Sequence, residues 1–189
     1  MRIVSMSVIL LGALAAALWI IDPNLPVRAQ AQGNNPNVLM LDNCSDNDPA
    51  YDDFGGCPEG THPSLRAYRG DVPLAEFFAL LTSPLAPGGQ IIGHPSWRNE
   101  PSYITIRARQ DVRVTNRGGR IHTFTEVTDF GGGFVPQLNG ALVQAPECNP
   151  SAVTFVGVGE TQRLSGLTSG LKKFQCCIHP WMRAAIRVE

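Results

Sequence analysis

The sequence predicts an all-β fold, a Greek-key β-sandwich preceded by a loop-rich extension with one short helix. Three observations carry that reading. From about residue 103 onward the chain alternates apolar and polar residues in short runs: 103–107, 112–116, 122–127, 153–157, 162–164, 171–176 and 185–188. Glycine and proline, 19 and 15 in the 189-residue chain, punctuate those runs at turn-like intervals. Helical periodicity is confined to one stretch before them.

The chain opens with Arg2 and an apolar run over residues 3–21, followed by Val27-Arg28-Ala29-Gln30-Ala31. A basic start, an apolar core and small residues at a workable distance predict a secretory signal cleaved after Ala29 or Ala31. The run is nearly long enough to cross a bilayer, so an uncleaved anchor is the alternative, and membrane association would then run through this segment. Either way the folded part is expected outside the cytoplasm, periplasmic or extracellular, where disulfides form. The expected division is residues 1–31 signal or anchor, 32–99 extension and 100–189 folded domain. A net charge of −1, with no basic run, argues against a nucleic-acid partner.

Residues 32–68 are rich in Asn, Asp, Pro and Gly and read as loop-like. Cys44 and Cys57 bracket an acidic stretch there, and in an oxidising compartment a disulfide between them would close it. Asp46, Asp48, Asp52 and Asp53 could serve as oxygen ligands for calcium, but the stretch lacks the spacing and final Glu of an EF-hand. A solvated acidic loop is favoured over calcium, and a docking surface for a basic partner is a third reading. Residues 71–83 change character and predict a helix of three turns. Asp71 is placed to cap it, Pro73 falls in its first turn, and Leu74, Phe77, Phe78 and Leu81 form its apolar stripe. Pro84 and Pro87-Gly88-Gly89 would end it.

The chemistry concentrates at residues 174–182, Phe-Gln-Cys-Cys-Ile-His-Pro-Trp-Met. Cys176, His179 and Met182 bring a thiol, an imidazole and a thioether into one tight turn. Two imidazoles and a thiolate with a weak axial thioether suit copper, whereas zinc has little use for a thioether. Residues 111–125 supply a second imidazole, His122, after a strand-like run and a Gly-Gly turn. A thiol near a histidine could instead be a nucleophile, and isolated Cys and His residues are often simply buried.

The pattern of a strand, a loop with one His, and a later aromatic-x-Cys-x-x-His-Pro-aromatic-Met before a short alternating strand resembles the cupredoxins, the type 1 blue copper proteins of the plastocyanin and amicyanin kind. The resemblance covers roughly residues 100–189, and the short ligand loop is most similar to that of amicyanin. It implies a cupredoxin-like sandwich holding one type 1 copper ion on His122, Cys176, His179 and Met182. Many family members have Gly where this chain has Ala184, which bears on the bend into the last strand. With Cys176 assigned to metal, Cys177 becomes the natural partner of Cys148, although four cysteines formally allow three pairings.

The implied function is electron transfer between redox partners, with His179 as the electron port and Pro180 and Trp181 as contact surface. A redox partner is therefore expected to dock near His179 and Trp181. Arg117, Arg120, Arg183 and Arg187 could steer an anionic partner, but ordinary solvation is the simpler reading. An enzyme is not expected, because multicopper centres need further histidines and the chain has four in all. His62 and His94 each precede proline and read as surface or turn residues. The alternatives retained are copper delivery and a copper-binding or structural subunit of a larger membrane or redox complex.

Overall fold

The computed structural model describes residues 36–54, 56–57, 70–82, 89 and 91–189. The expected signal or anchor, His62, and the prolines at 84 and 87 lie outside these residues. Among the described residues no helix is long and apolar enough to cross a membrane.

Among the described residues ten strands form the body: β1 Asn37–Leu41, β2 Arg98–Glu100, β3 Tyr103–Ile106, β4 Val112–Asn116, β5 His122–Thr123, β6 Thr125–Val127, β7 Phe155–Val156, β8 Thr161–Leu164, β9 Gly170–Gln175 and β10 Arg183–Val188. One four-stranded sheet runs β2-β1-β4-β8, a second runs β3-β10-β9-β6, and β5 pairs with β7. β1 lies parallel to β4 and β10 parallel to β3, while the other pairings are antiparallel.

Strand alternation explains the core. In β4, Val112, Val114 and Asn116 face inward while Arg113 is exposed, and in β10 Ala184, Ile186 and Val188 are buried. These meet Val38 and Met40 of β1, with Phe124 stacked on Phe174 at 4.7 Å between ring centres. Ala184 pairs with Phe174 and continues β10 without interruption.

β1 corrects the expectation that residues 32–68 are loop-like. The short run Asn37–Leu41 lacks clear alternation, since Leu39 and Leu41 are apolar on the outward side. Position decides it: β1 sits between β2 and β4, so its Val38 and Met40 are fully buried. The first sheet thus draws strands from both sides of residue 100.

The helix, α1, spans Leu74–Thr82, and Leu74, Phe77 and Leu81 are buried as its stripe predicts. Phe78, placed in the same stripe, is 40% exposed. Its cap is also different from the expected one. The Leu74 N–H donates to Asp48 Oδ2 at 2.8 Å, and Asp48 Oδ1 accepts the Ala50 N–H at 3.0 Å, while Asp71 is exposed. The acidic loop therefore holds the helix start in place of the residue nearest in sequence. A disulfide joins Cys44 to Cys57, and another joins Cys148 to Cys177. The second fastens the 128–152 excursion to the end of β9, where Gln175 also holds it through Gly131.

Candidate metal centre

Two short segments deliver the chemistry. Asn116 ends β4 fully buried, and its amide organises the turn that follows. Nδ2 donates to the carbonyls of Arg120 at 2.7 Å and Val156 at 2.9 Å, and Oδ1 accepts the Gly118 N–H at 2.9 Å. This turn needs glycine at 118, because a Cβ there would stand 2.0 Å from Asp42 Oδ2. His122 emerges from it on β5. The second segment is the turn between β9 and β10, closed by Met182 N–H to the His179 carbonyl at 2.9 Å and Cys176 N–H to the Met182 carbonyl at 3.0 Å. Asn99 of β2 secures it further by donating to the Met182 carbonyl at 3.0 Å.

These segments bring His122, Cys176 and His179 together, with their ligand atoms within 4.8 Å of one another and all three side chains buried. Cys176 Sγ lies 3.8 Å from Nδ1 of His122 and 3.8 Å from Nδ1 of His179. Such edges can accommodate an ion at roughly 2.0–2.3 Å from nitrogen and sulfur. Met182 is fully buried on the same turn.

The sulfur also accepts N–H groups from Thr123 at 3.4 Å and His179 at 3.5 Å. Burial opposes ionisation of Cys176, but hydrogen bonding and charge from His122 and His179 bring its thiol well below the ordinary range. Burial disfavours the charged form of His122 too, yet Asp42 and Cys176 raise it to about 9. For His179 burial prevails and its imidazole titrates below its usual value. The site therefore favours a thiolate, the form that binds metal.

Asp42 was not legible as part of the site. Its Oδ2 lies 2.7 Å from His122 Nε2, both side chains fully buried. Burial pushes its carboxyl upward, but His122 and the N–H groups of Gly119 and Arg120 outweigh that and hold it below the ordinary value.

His94 fits the turn reading, its carbonyl accepting the Trp97 N–H at 2.9 Å, and corrects the surface one. It is buried, with Nε2 3.0 Å from Glu76 Oε1 of α1 and its ring 5.4 Å from that of Trp97. The contact ties α1 to the loop before β2. Arg117 is exposed, and the other three arginines are occupied. Arg120 donates to the carbonyls of Phe54 and Gly56, Arg183 to Pro180 at 3.0 Å, and Arg187 to the Tyr103 hydroxyl at 3.0 Å.

α1 also covers part of the site. The Phe77 ring lies 6.3 Å from that of His179 and 6.1 Å from that of Trp181, and His179 is 7% exposed. Trp181 packs where a Cβ on Gly93 would be, at 2.2 Å. Beside His179 lies an apolar cavity of about 470 Å³ whose walls include Phe77, Trp97, Leu138 and Ile178.

No protein-family profile matches the chain, and no curated protein does. Among solved structures, a purple cupredoxin from Nitrosopumilus maritimus matches at 15% identity, covering 51% of this chain and 86% of that one, with a TM-score of 0.39. A reduced amicyanin variant matches at 20% identity over 48% of this chain and 71% of that one, TM-score 0.33. An oxidised amicyanin variant does so at 18% identity over 49% and 73%, TM-score 0.35. Fold and site together are those of an all-β sandwich carrying a buried His-Cys-His group.

Proposed function

We propose that this chain is a mononuclear type 1 copper protein that carries electrons between redox partners outside the cytoplasm. The observation that carries the reading is the buried triangle of His122 Nδ1, Cys176 Sγ and His179 Nδ1, with 3.8 Å from sulfur to each nitrogen. In this reading Cys176 is the thiolate ligand, His122 and His179 the imidazole ligands and Met182 the axial thioether. Copper bound there supplies a one-electron couple whose potential responds to the axial ligand and to the surroundings of the sulfur. The protein's part is to keep the donor atoms fixed. Two strand ends joined by hydrogen bonds do so, and the N–H groups on Cys176 Sγ stabilise its negative charge.

Delivery of copper calls for an open site, and none of these ligand side chains is appreciably exposed. An enzyme with further copper ions needs more imidazoles than four histidines supply, one of which is engaged with Glu76. Two disulfides accord with export, and the apolar run at residues 3–21 would be its signal or anchor. Partners would dock on the face carrying His179 and Trp181, whose border includes the exposed rings of Phe54 and Phe78. A compact patch suffices for a weak redox encounter.

The test is a visible absorption spectrum of the copper-loaded protein and of Cys176→Ser. An intense thiolate-to-copper band present in the first and lost in the second is expected. A colourless wild-type protein that retains no copper would overturn the assignment.

A further inference from the structure

β1 ends at Leu41, and the next residue sends a carboxylate into the interior. Asp42 is 1% exposed, and both of its oxygens are engaged. Oδ1 accepts the N–H of Gly119 at 2.8 Å and of Cys44 at 3.3 Å. Oδ2 accepts the N–H of Arg120 at 3.0 Å and lies 2.7 Å from His122 Nε2. Gly119 and Arg120 belong to the same turn that carries His122. The Cβ-free face of Gly118 admits Oδ2, and Asn116 braces the turn through the Arg120 carbonyl. The whole 116–122 segment is built around this one side chain.

The consequence for His122 follows from valence. A carboxylate beside Nε2 requires the proton there, which leaves Nδ1, 3.8 Å from Cys176 Sγ, as the nitrogen with the lone pair when the ring is neutral. A backbone carbonyl at the same place would orient the ring equally well. A carboxylate differs in adding a full negative charge, which makes the ring a stronger donor.

We infer that Asp42 is the positioning residue for His122: it holds the proton on Nε2, aims Nδ1 at Cys176, and as a buried anion favours the more highly charged, oxidised state of the metal. The last part rests on the copper reading proposed above, and the first two do not.

Two measurements test it. In metal-free wild-type protein, long-range proton–nitrogen NMR is expected to show a proton on His122 Nε2, slow to exchange with solvent. An unprotonated Nε2 would overturn the proposal whatever the metal does, and this measurement needs no variant to fold. In Asp42→Asn the charge is lost, and an amide turned to face His122 donates where the carboxylate accepts. Changes to outer partners of ligating histidines shift metal affinity about 10–100-fold. The expected result is a loss of at least about tenfold in the preference for oxidised over reduced copper. Each tenfold reads as a rise of about 59 mV in the one-electron potential. A thiolate-to-copper band in both proteins with an unchanged potential would refute the electrostatic role while leaving the copper assignment intact. A wild-type protein without that band would remove the copper assignment and with it the electrostatic role, and the NMR result would still decide the positioning role.

Discussion

Truncating Asn116, itself fully buried, to alanine removes three hydrogen bonds at once: two to the carbonyls of Arg120, half-buried, and Val156, buried, and one from the buried Gly118 N–H. A buried polar group left without its partner costs about 1–3 kcal/mol, and carbonyls, with two lone pairs, fall toward the lower end. Three such groups give a loss of about 3–5 kcal/mol, a large share of the roughly 5–15 kcal/mol that keeps a domain folded. Asn116→Asp retains the acceptor for Gly118 but loses both donations, so it should recover little of the loss. The assay is urea unfolding of the metal-free protein followed by tryptophan fluorescence, compared by midpoint at equal slope. Thr115→Ala is the control one residue away. The Thr115 hydroxyl bonds Asn37 at 3.3 Å and Thr161 at 3.0 Å on the other side of the strand, and its loss should cost about 1 kcal/mol or less. A loss below about 1 kcal/mol for Asn116→Ala would mean that the turn before His122 is not held by this amide.

Replacing Cys148 and Cys177 together by serine opens a loop of sequence separation 29, for which the loop-closure relation gives about 3.5 kcal/mol; unfolding of the variant against the wild type, both without reductant so that Cys44–Cys57 stays closed, would measure it. Asp48→Ala should cost about 1 kcal/mol through loss of the acceptor at the start of α1, with faster amide exchange in the first turn, whereas Asp71→Ala should leave both unchanged. Gly118→Ala places a methyl 2.0 Å from Asp42 Oδ2, so it should displace that carboxylate and weaken metal binding at least tenfold, read by competition with a chelator. Undiminished affinity would show that the turn yields without disturbing His122.

What could be read from the sequence was local. Cys176, His179 and Met182 share one turn, so their spacing marked three candidate ligands as neighbours, and the alternating runs over 112–116 and 185–188 lie within β4 and β10. The hydrogen bonds that secure the site span long separations. Asp42 stands 80 residues before His122 in a stretch whose Asn, Asp and Gly content reads as loop, and nothing in its neighbours marks it as buried. β1 owes its strand character to the place between β2 and β4, a property of the assembled sheet. Asp48 outcompetes Asp71 at α1 because the Cys44–Cys57 loop folds back against the helix start, 26 residues away in sequence. His94 followed the same logic, since its partner Glu76 lies on another element.

The free thiol and a half-cystine are neighbours, Cys176 and Cys177, and both lie near the excursion that carries Cys148. A bond from Cys148 to either sulfur would close almost the same loop, at nearly the same entropic cost. Only one choice leaves the Cys176 thiol beside His122 and His179. The pairing step during oxidation is thus a fork at which a chain either keeps that thiol between the two imidazoles or loses it, with little difference in loop length to guide the choice. In the folded chain Thr123 tells the two apart: its N–H donates to Cys176 Sγ at 3.4 Å, and its hydroxyl accepts the Cys177 N–H at 2.8 Å.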